Sequence, residues 1–445
     1  MRVLLVNPDW DSRVSVRGRR HNRAWPPLDL LNCAAILESQ AIEVSVLDAR
    51  AEPIQPEFLN RTAPAFDLVM LTSSPLDRWQ CPNLDLRPFL KWASQVDPEH
   101  LYILGVHGTL WPEQMLTATG AKVVVRGEPE SVVQAIGRGM DLEKIEGVSF
   151  RNRRGEVVHN PDSKQIDMAA MVQPAYHLVR SQTYEYELLG DRLALLEVSR
   201  GCPYQCRFCL KKMYGAGLRH KEVSQVVAEL DSVVRKCGFR RAYFIDLDFA
   251  WNRELAVRLC DALVEKKVDF HWCCQTRADR VDRKLLSTMF RAGCRLIHFG
   301  IESASDRVLE AMAKTMDLGK VERGVRLAQE EGLETACFFM FGYPGETNQE
   351  MEATLALAKR LNPTYASFHA VTTYPGTALF RDTMDEDDAF SVDGRCLETQ
   401  ALDPFLRRAY LSYYLRPQYV VERIRQRNFG GLWRQARLFW DYIRG

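Results

Sequence analysis

The chain has 445 residues, too many for one ordinary core, so two or three domains are expected. Its 46% apolar and 26% charged content exclude a disordered chain, and a net charge of +1 offers no general attraction to nucleic acid, so no nucleic-acid partner is expected. No early apolar run is long enough for a signal peptide or a membrane span. The twelve cysteines are irregularly spaced, several in apolar runs such as Cys273-Cys274 and Cys337, which predicts reduced, cytoplasmic usage rather than a disulfide framework.

In chain order, Met1 to Asn7 is a fully apolar strand, and Pro26-Pro27 opens a helix running to Glu38. Further strands follow at 43–48, 67–72, 100–105 and 122–126, separated by helical stretches. Continuous apolar strands alternating with helices predict a doubly wound, parallel, Rossmann-like sheet over residues 1–146. Polar residues and glycines gather at the strand C-termini, where such sheets bind ligands: Asn7 and Pro8; Thr72, Ser73 and Ser74; Gly105, His107, Gly108 and Thr109; Gly127 and Glu128. The same pattern also fits a sheet whose loop residues only turn the chain. Residues 147–190 read as a connector, with a hairpin at Val148–Val158 followed by breaks at Asn160-Pro161 and Gln173-Pro174.

From 191 to 380 the alternation resumes, with strands expected at 193–198, 241–247, 268–274, 294–300, 334–342 and 365–372. The helix from Glu222 to Lys236 places Val223, Val226, Val227, Leu230, Val233 and Val234 on one face. Six such units predict a partial (β/α)6, TIM-like barrel with its chemistry at the strand C-termini. After the first strand comes Ser199-Arg-Gly-Cys202-Pro-Tyr-Gln-Cys206-Arg-Phe208-Cys209. This spacing can aim three thiolates at one point, as a soft iron–sulfur site requires. Three ligands cannot complete the four-thiolate set of a [4Fe–4S] cluster, so one iron is left open to a substrate or cofactor. A zinc knuckle or three structural cysteines are the alternatives, although no second Cys/His pair follows at finger spacing. The other strand ends carry Asp246 and Asp248, Arg277, Glu302 and Ser303, and Tyr343. Each could equally belong to an ion pair or turn capping its strand.

Residues 381–445 change character, with nine Arg against Glu422 and Asp441 from position 405 onward and aromatics through Trp440. Such helices can lie on an anionic membrane surface, or cap a barrel by burying the aromatics and leaving Arg in water; the cap is expected.

The spacing Cys202-x3-Cys206-x2-Cys209 with Phe208 before the last cysteine resembles the signature of the radical S-adenosylmethionine (SAM) superfamily. Gly300-Ile-Glu302-Ser303, Gly342-Tyr343-Pro-Gly-Glu-Thr347 and Thr373-Tyr-Pro-Gly-Thr377 are similar to that family's later motifs. Asn7-Pro8, Pro26-Pro27-Leu28, Gly105-Val-His107-Gly-Thr109 and Arg126-Gly127-Glu128-Pro-Glu130 resemble the cobalamin-binding domain attached to many of its members. Leu104 stands where that domain has the first of two glycines and Pro129 where it has a glycine between two glutamates. The Asp-x-His-x-x-Gly motif that ligates cobalt elsewhere is absent from the sequence.

The resemblance implies a [4Fe–4S] cluster on Cys202, Cys206 and Cys209. It implies SAM held by Phe208, Asp246, Asp248, Arg277, Glu302, Ser303 and Tyr343, and cobalamin held by the strand-end residues of the first sheet. The implied reaction is methylation of an unactivated carbon through a 5′-deoxyadenosyl radical, with ring formation or rearrangement, or a non-catalytic cluster protein, as alternatives. The expected partners are a small-molecule or lipid substrate and an electron donor such as flavodoxin or ferredoxin. Beyond the cluster, no catalytic residue is singled out.

Overall fold

The computed structural model describes residues 1–10, 24–215, 217–384, 390, 392 and 402–425. Strands β1 (Arg2–Asn7), β2 (Glu43–Asp48), β3 (Leu68–Thr72), β4 (Leu101–Leu104), β5 (Val123–Val125), β6 (Val148–Arg151) and β7 (Val157–His159) form one sheet in the order β2-β1-β3-β4-β5-β6-β7. The first five are parallel and the last two antiparallel. The hairpin expected in the connector is therefore an edge of this sheet, and Val148, Ser149 and Phe150 are buried there.

A parallel sheet needs cover on both faces. Helices Leu28–Glu38 and Pro129–Gly137 cover one, where Val3, Leu5, Leu30, Cys33 and Val133 share a core. Helices Arg87–Ala93 and Pro112–Thr119 cover the other with Leu4, Val6, Phe89, Trp92 and Met115. Ten of the eleven residues of Leu28–Glu38 are buried. Leu30 and Cys33 face the first sheet while Leu28 and Leu31 enter the core of the second lobe, so this helix is a seam and has no wet face.

A short antiparallel pair, β8 (Glu185–Tyr186) and β9 (Gly190–Asp191), leads into the second lobe. There β10 (Leu193–Leu196) is followed by a two-residue ladder, β11 (Ser199–Arg200) with β12 (Arg219–His220). The remaining strands are β13 (Arg241–Phe244), β14 (His271–Thr276), β15 (Cys294–Glu302), β16 (Glu334–Phe341) and β17 (Tyr365–Ala370). The order β10-β13-β14-β15-β16-β17, parallel throughout, is the six-stranded partial barrel that the sequence predicts. Tyr186, Tyr243, His298 and Phe338 stack in its interior, with Trp25 edge-on against both tyrosines.

An open arc leaves the outer edge of β17 without a partner strand, which invites unwanted pairing. Tyrosines from the helices Asp403–Tyr414 and Pro417–Arg425 take the place of that strand. The Tyr414 hydroxyl accepts from Ala366 N at 2.9 Å and donates to Ala366 O at 2.8 Å, and Tyr410 treats Phe368 likewise at 3.1 and 3.3 Å. Tyr413 and Tyr419 donate to Pro363 O and Thr364 O at 2.6 and 2.7 Å. Over 402–425 the C-terminal region thus caps the barrel; the basic stretch around Trp440 lies outside the described residues. Among the described residues no helix is long and apolar enough to cross a membrane.

Replacing Tyr414 by Phe removes both of its edge bonds and is expected to cost about 1–3 kcal/mol, read from the denaturant midpoint. The double variant Tyr410→Phe/Tyr414→Phe is expected in addition to self-associate in sedimentation experiments. A wild-type midpoint in the double variant would show that the hydroxyls do not close the edge.

Candidate active site

The loop carrying the three cysteines leaves β11 and returns at β12, so the ladder closes its base. Gly201 begins the loop at φ +94°, and a Cβ there would lie 2.1 Å from Gly217 O, so only glycine fits. Asp246, at the end of β13, accepts from Val198 N (3.1 Å), Ser199 N (2.6 Å) and Ser199 Oγ (2.5 Å). Burial lifts its pKa to about 6. Asp246 therefore braces the strand entering the cysteine loop, and its oxygens are already engaged there.

Cys202, Cys206 and Cys209 are half-buried, and Cys209 N donates to Cys206 O at 3.2 Å. Burial pushes all three thiols up, Cys209 to about 12 with Cys206 beside it adding to the shift. Lys314, Arg277 and Lys211 favour the thiolate of Cys206. Among the described residues no three His, Cys, Asp or Glu side chains converge on one ion position. In a cubane each thiolate binds a different iron, so the ligands surround the cluster instead of meeting. Three thiols on one glycine-initiated loop, with cations beside them, fit an anionic thiolate cluster.

Around this loop stand the other barrel residues. Asp248 Oδ1 accepts from Thr276 Oγ1 at 2.6 Å, while Oδ2 is buried without a well-formed hydrogen bond. A buried acceptor left open is what a ligand's amino or hydroxyl group would satisfy. Arg277, expected to grip a ligand carboxylate, makes its bidentate fork to Asp279 at 2.9 and 2.9 Å, and Nη2 also donates to Thr315 O at 2.7 Å. Its guanidinium lies 4.3 Å from the Tyr204 ring centre. What it presents to the loop is its charge.

Glu302 sits at a bulge in β15 with φ +68°, a strained left-handed conformation costing about 1–3 kcal/mol for a non-glycine residue. Its Oε1 accepts from Lys314 Nζ at 2.6 Å. A Cβ on Gly300 would lie 2.6 Å from that Oε1 and 2.8 Å from Nζ, so the glycine makes room for the ion pair. Lys314 is 5.9 Å from the Phe208 ring centre, and Phe208 packs beside Tyr343 and Met312. Ser303 turns away: it is fully buried and shares a 3.3 Å hydrogen bond with Thr354. The Tyr343 hydroxyl donates to Ala311 O at 3.0 Å.

On the first sheet, Asn7, Pro8, Trp10, Arg50, Thr72, Ser73, Ser74, Pro75, Arg78 and Asn83 line a shallow, open pocket. It lies at the C-terminal ends of β1 and β3, where strand order reverses. Several lining groups are held from behind: Asn7 Nδ2 donates to Asp48 Oδ1 (2.8 Å), Thr72 Oγ1 to Asp29 Oδ2 (3.2 Å) and Ser73 Oγ to Leu104 O (2.9 Å). Ser74 Oγ accepts from Val106 N at 2.8 Å. Gly105 has φ +99°, and a Cβ there would come within 2.9 Å of Ser73 Oγ and Ser74 N. Gly108 packs against Val124, and Thr109 Oγ1 accepts from Gly127 N at 2.9 Å. His107 stacks on Trp10, and its Nε2 lies 2.7 Å from Asn83 O. Burial lowers its pKa to about 4, so the ring is neutral at physiological pH.

Glu128 faces the barrel instead of this pocket. Arg219 from β12 binds it with two bonds, at 2.7 and 2.8 Å, and Arg200 Nη1 lies 3.4 Å away. Arg200 also donates to Glu130 Oε1 (2.6 Å) and to both oxygens of Glu197 (2.8 Å each), with no exposed surface. Asn32 on the seam helix donates to Glu130 and Glu197 at 3.3 and 3.4 Å. Burial disfavours the charge on Glu197, but Arg200 outweighs it and holds this carboxyl below its ordinary range. Leu76, Trp79, Val106, Leu210, Met213 and Tyr214 form an apolar cluster between the two lobes. Sequence reasoning passed over Arg200, Glu197, Glu130 and Arg219. Their only sequence signal was adjacency to the cysteine motif and to Gly127-Glu128.

Removing one partner of a buried ion network strands the others, so Arg200→Met is expected to cost about 3–5 kcal/mol in denaturant unfolding. Asp29, buried under the Thr72–Leu76 turn, has its pKa raised by burial from 3.8 to about 7. The folded state then keeps a proton that the unfolded chain has already lost, so this group's contribution falls as pH rises from about 4 to about 7. Asn in its place is expected to flatten that part of the stability–pH curve by an amount on the order of 4 kcal/mol.

Residues 196–358 match the family model described as the radical SAM superfamily. An uncharacterized methyltransferase, PH0819, of Pyrococcus horikoshii is 28% identical over 447 residues, covering 95% of each chain. The anaerobic magnesium-protoporphyrin IX monomethyl ester cyclase of Rubrivivax gelatinosus is 24% identical over 91% of this chain and 74% of its own. The solved structure of the radical SAM methyltransferase TsrM from Kitasatospora setae, with cobalamin and a [4Fe–4S] cluster bound, shares the fold with a TM-score of 0.67 at 22% identity, over 85% of this chain and 73% of that one. Over residues 196–358, which hold the cysteine loop and most of the six-stranded arc, the chain matches the radical SAM superfamily.

Proposed function

We propose that this protein is a cobalamin-dependent radical SAM methyltransferase acting on an unactivated carbon of a small molecule, lipid or natural product. The observation that carries the reading is the meeting of two strand-end sites. The loop after β3, whose residues line the pocket of the first sheet, touches the cysteine loop of the second, with Gln80 Nε2 3.4 Å from Cys209 Sγ. The methyltransferase name of the relative that matches 95% of this chain supports the same conclusion.

In this reading Cys202, Cys206 and Cys209 hold the cluster. The pocket fits a cobalamin contact surface on two grounds: it sits at the reversal point of a parallel sheet, and Gly105 allows backbone and hydroxyl groups to crowd there without a side chain. A cluster on those cysteines would supply one electron for SAM cleavage, and cobalamin at the pocket would supply the methyl group. Asp248 Oδ2 is the acceptor for the ligand's amino or hydroxyl group, and the Glu302–Lys314 ion pair lies near Cys206. Arg277 contributes positive charge beside the ligand carboxylate and keeps Tyr204 stacked. The interlobe cluster around Trp79 and Tyr214 excludes water from the space between the two sites. His107, neutral and stacked on the pocket-lining Trp10, supports that side of the pocket from behind.

A second reading, oxidative cyclisation without methyl transfer, is favoured by the cyclase relative, which matches 91% of this chain. Anaerobically reconstituted protein given cobalamin, methyl-labelled SAM, a reductant and the extract of a deletion strain separates the two. The expected result is 5′-deoxyadenosine together with a product carrying one labelled carbon, and neither from the triple Cys→Ala protein. A product with no added carbon selects cyclisation. Iron-loaded protein that forms no 5′-deoxyadenosine overturns both.

A further inference from the structure

The loop after β3 reaches out of its own lobe. Trp79 is fully buried against Tyr214 of the cysteine loop, with ring centres 5.3 Å apart, and Gln80 follows it. The half-buried Gln80 side chain donates from Nε2 to Cys209 Sγ at 3.4 Å. A sulfur that accepts a hydrogen bond is stabilised most when it carries most negative charge. Reduction of a thiolate-bound cluster raises that charge, so a donor to the sulfur favours the reduced state.

We propose that Gln80 is a positioning residue that tunes the iron–sulfur site: its amide, delivered by the first lobe, raises the reduction potential of a cluster held by the second. The inference rests on the cluster assignment of the preceding section. Three features support it. The donor is neutral, so it can favour the reduced cluster without forming an ion pair at Cys209. The loop is pinned on both sides of Gln80, since the indole of Trp79 donates to Ser74 O at 3.2 Å and Asn83 O lies 2.7 Å from His107 Nε2. Arg78 and Asn83 flank Gln80 and line the first-sheet pocket, so the donor reaches the cluster only when the two lobes are docked.

The test uses the full chain, anaerobically reconstituted with iron and sulfide, as wild type, Gln80→Leu and Gln80→Glu. The one-electron midpoint is read by electron paramagnetic resonance during a dye-mediated titration. Loss of one hydrogen bond is expected to make reduction about tenfold less favourable in Gln80→Leu, which for one electron is about 59 mV more negative. Gln80→Glu, with an acidic group of nearly the same size, is expected to shift at least as far in the same direction. Unchanged midpoints in iron-loaded variants overturn the proposal. Failure of both variants to take up iron while their circular dichroism stays native also overturns it, since Gln80 would then be an assembly contact. Wild-type protein that takes up no cluster refutes the cluster assignment itself, and so is distinguishable from either result.

Discussion

The buried guanidinium of Arg200 is the point on which the two lobes depend. It has no solvent to fall back on, so its charge is met by Glu197 from its own lobe and by Glu128 and Glu130 from the other. An ion pair of this kind adds little net stability compared with an apolar contact, because desolvation offsets the Coulomb gain. Its consequence is geometric: any sliding of one lobe past the other leaves a charge buried and unpaired. Arg200 is also two residues before Cys202, so the contact that orients the lobes is continuous with the strand that presents the cysteine loop. Asp246 adds a second constraint on the same strand from within the barrel.

Around that fixed loop, polar groups divide into those already partnered and those left open. Asp246, Ser303 and the fork of Arg277 are committed to backbone or side-chain partners. Asp248 keeps one buried oxygen open, and Glu302 is held in a strained conformation by Lys314 over Gly300. Strain and an unsatisfied acceptor both cost stability, and they survive together only where the surrounding packing over-determines them. That they occur around the cysteine loop, at the ends of strands β13 and β15 on either side of β14, is the physical signature of a binding site.

The partial barrel raises a separate problem, an open edge, and the chain solves it with side chains. Four tyrosines on two C-terminal helices supply hydroxyls where a seventh strand would supply amides and carbonyls. A hydroxyl both donates and accepts, so Tyr414 and Tyr410 can each satisfy both backbone groups of the residue they face. This accounts for the aromatic content of a region whose arginines alone suggest a charged surface.

Both sheets, their parallel sense, the seam helix and the cysteine loop were legible in the sequence, because apolar periodicity and glycine-initiated loops are local properties of the chain. The hairpin at β6 and β7 was legible as a hairpin, but its membership of the first sheet depended on which edge it met. The candidate ligands were legible by residue type at strand ends, yet type does not say which way a carboxylate finds its partner. Asp246 and Asp248 are two residues apart and read alike; only the fold turns one onto Val198 and Ser199 and leaves the other with an open oxygen. The pairing of Arg200 with Glu130, 70 positions earlier, and the reach of Gln80 to Cys209 were decided by the docking of two lobes. Such long-range contacts leave no periodic trace in the chain, because they arise from packing between elements and not from the spacing of residues within one.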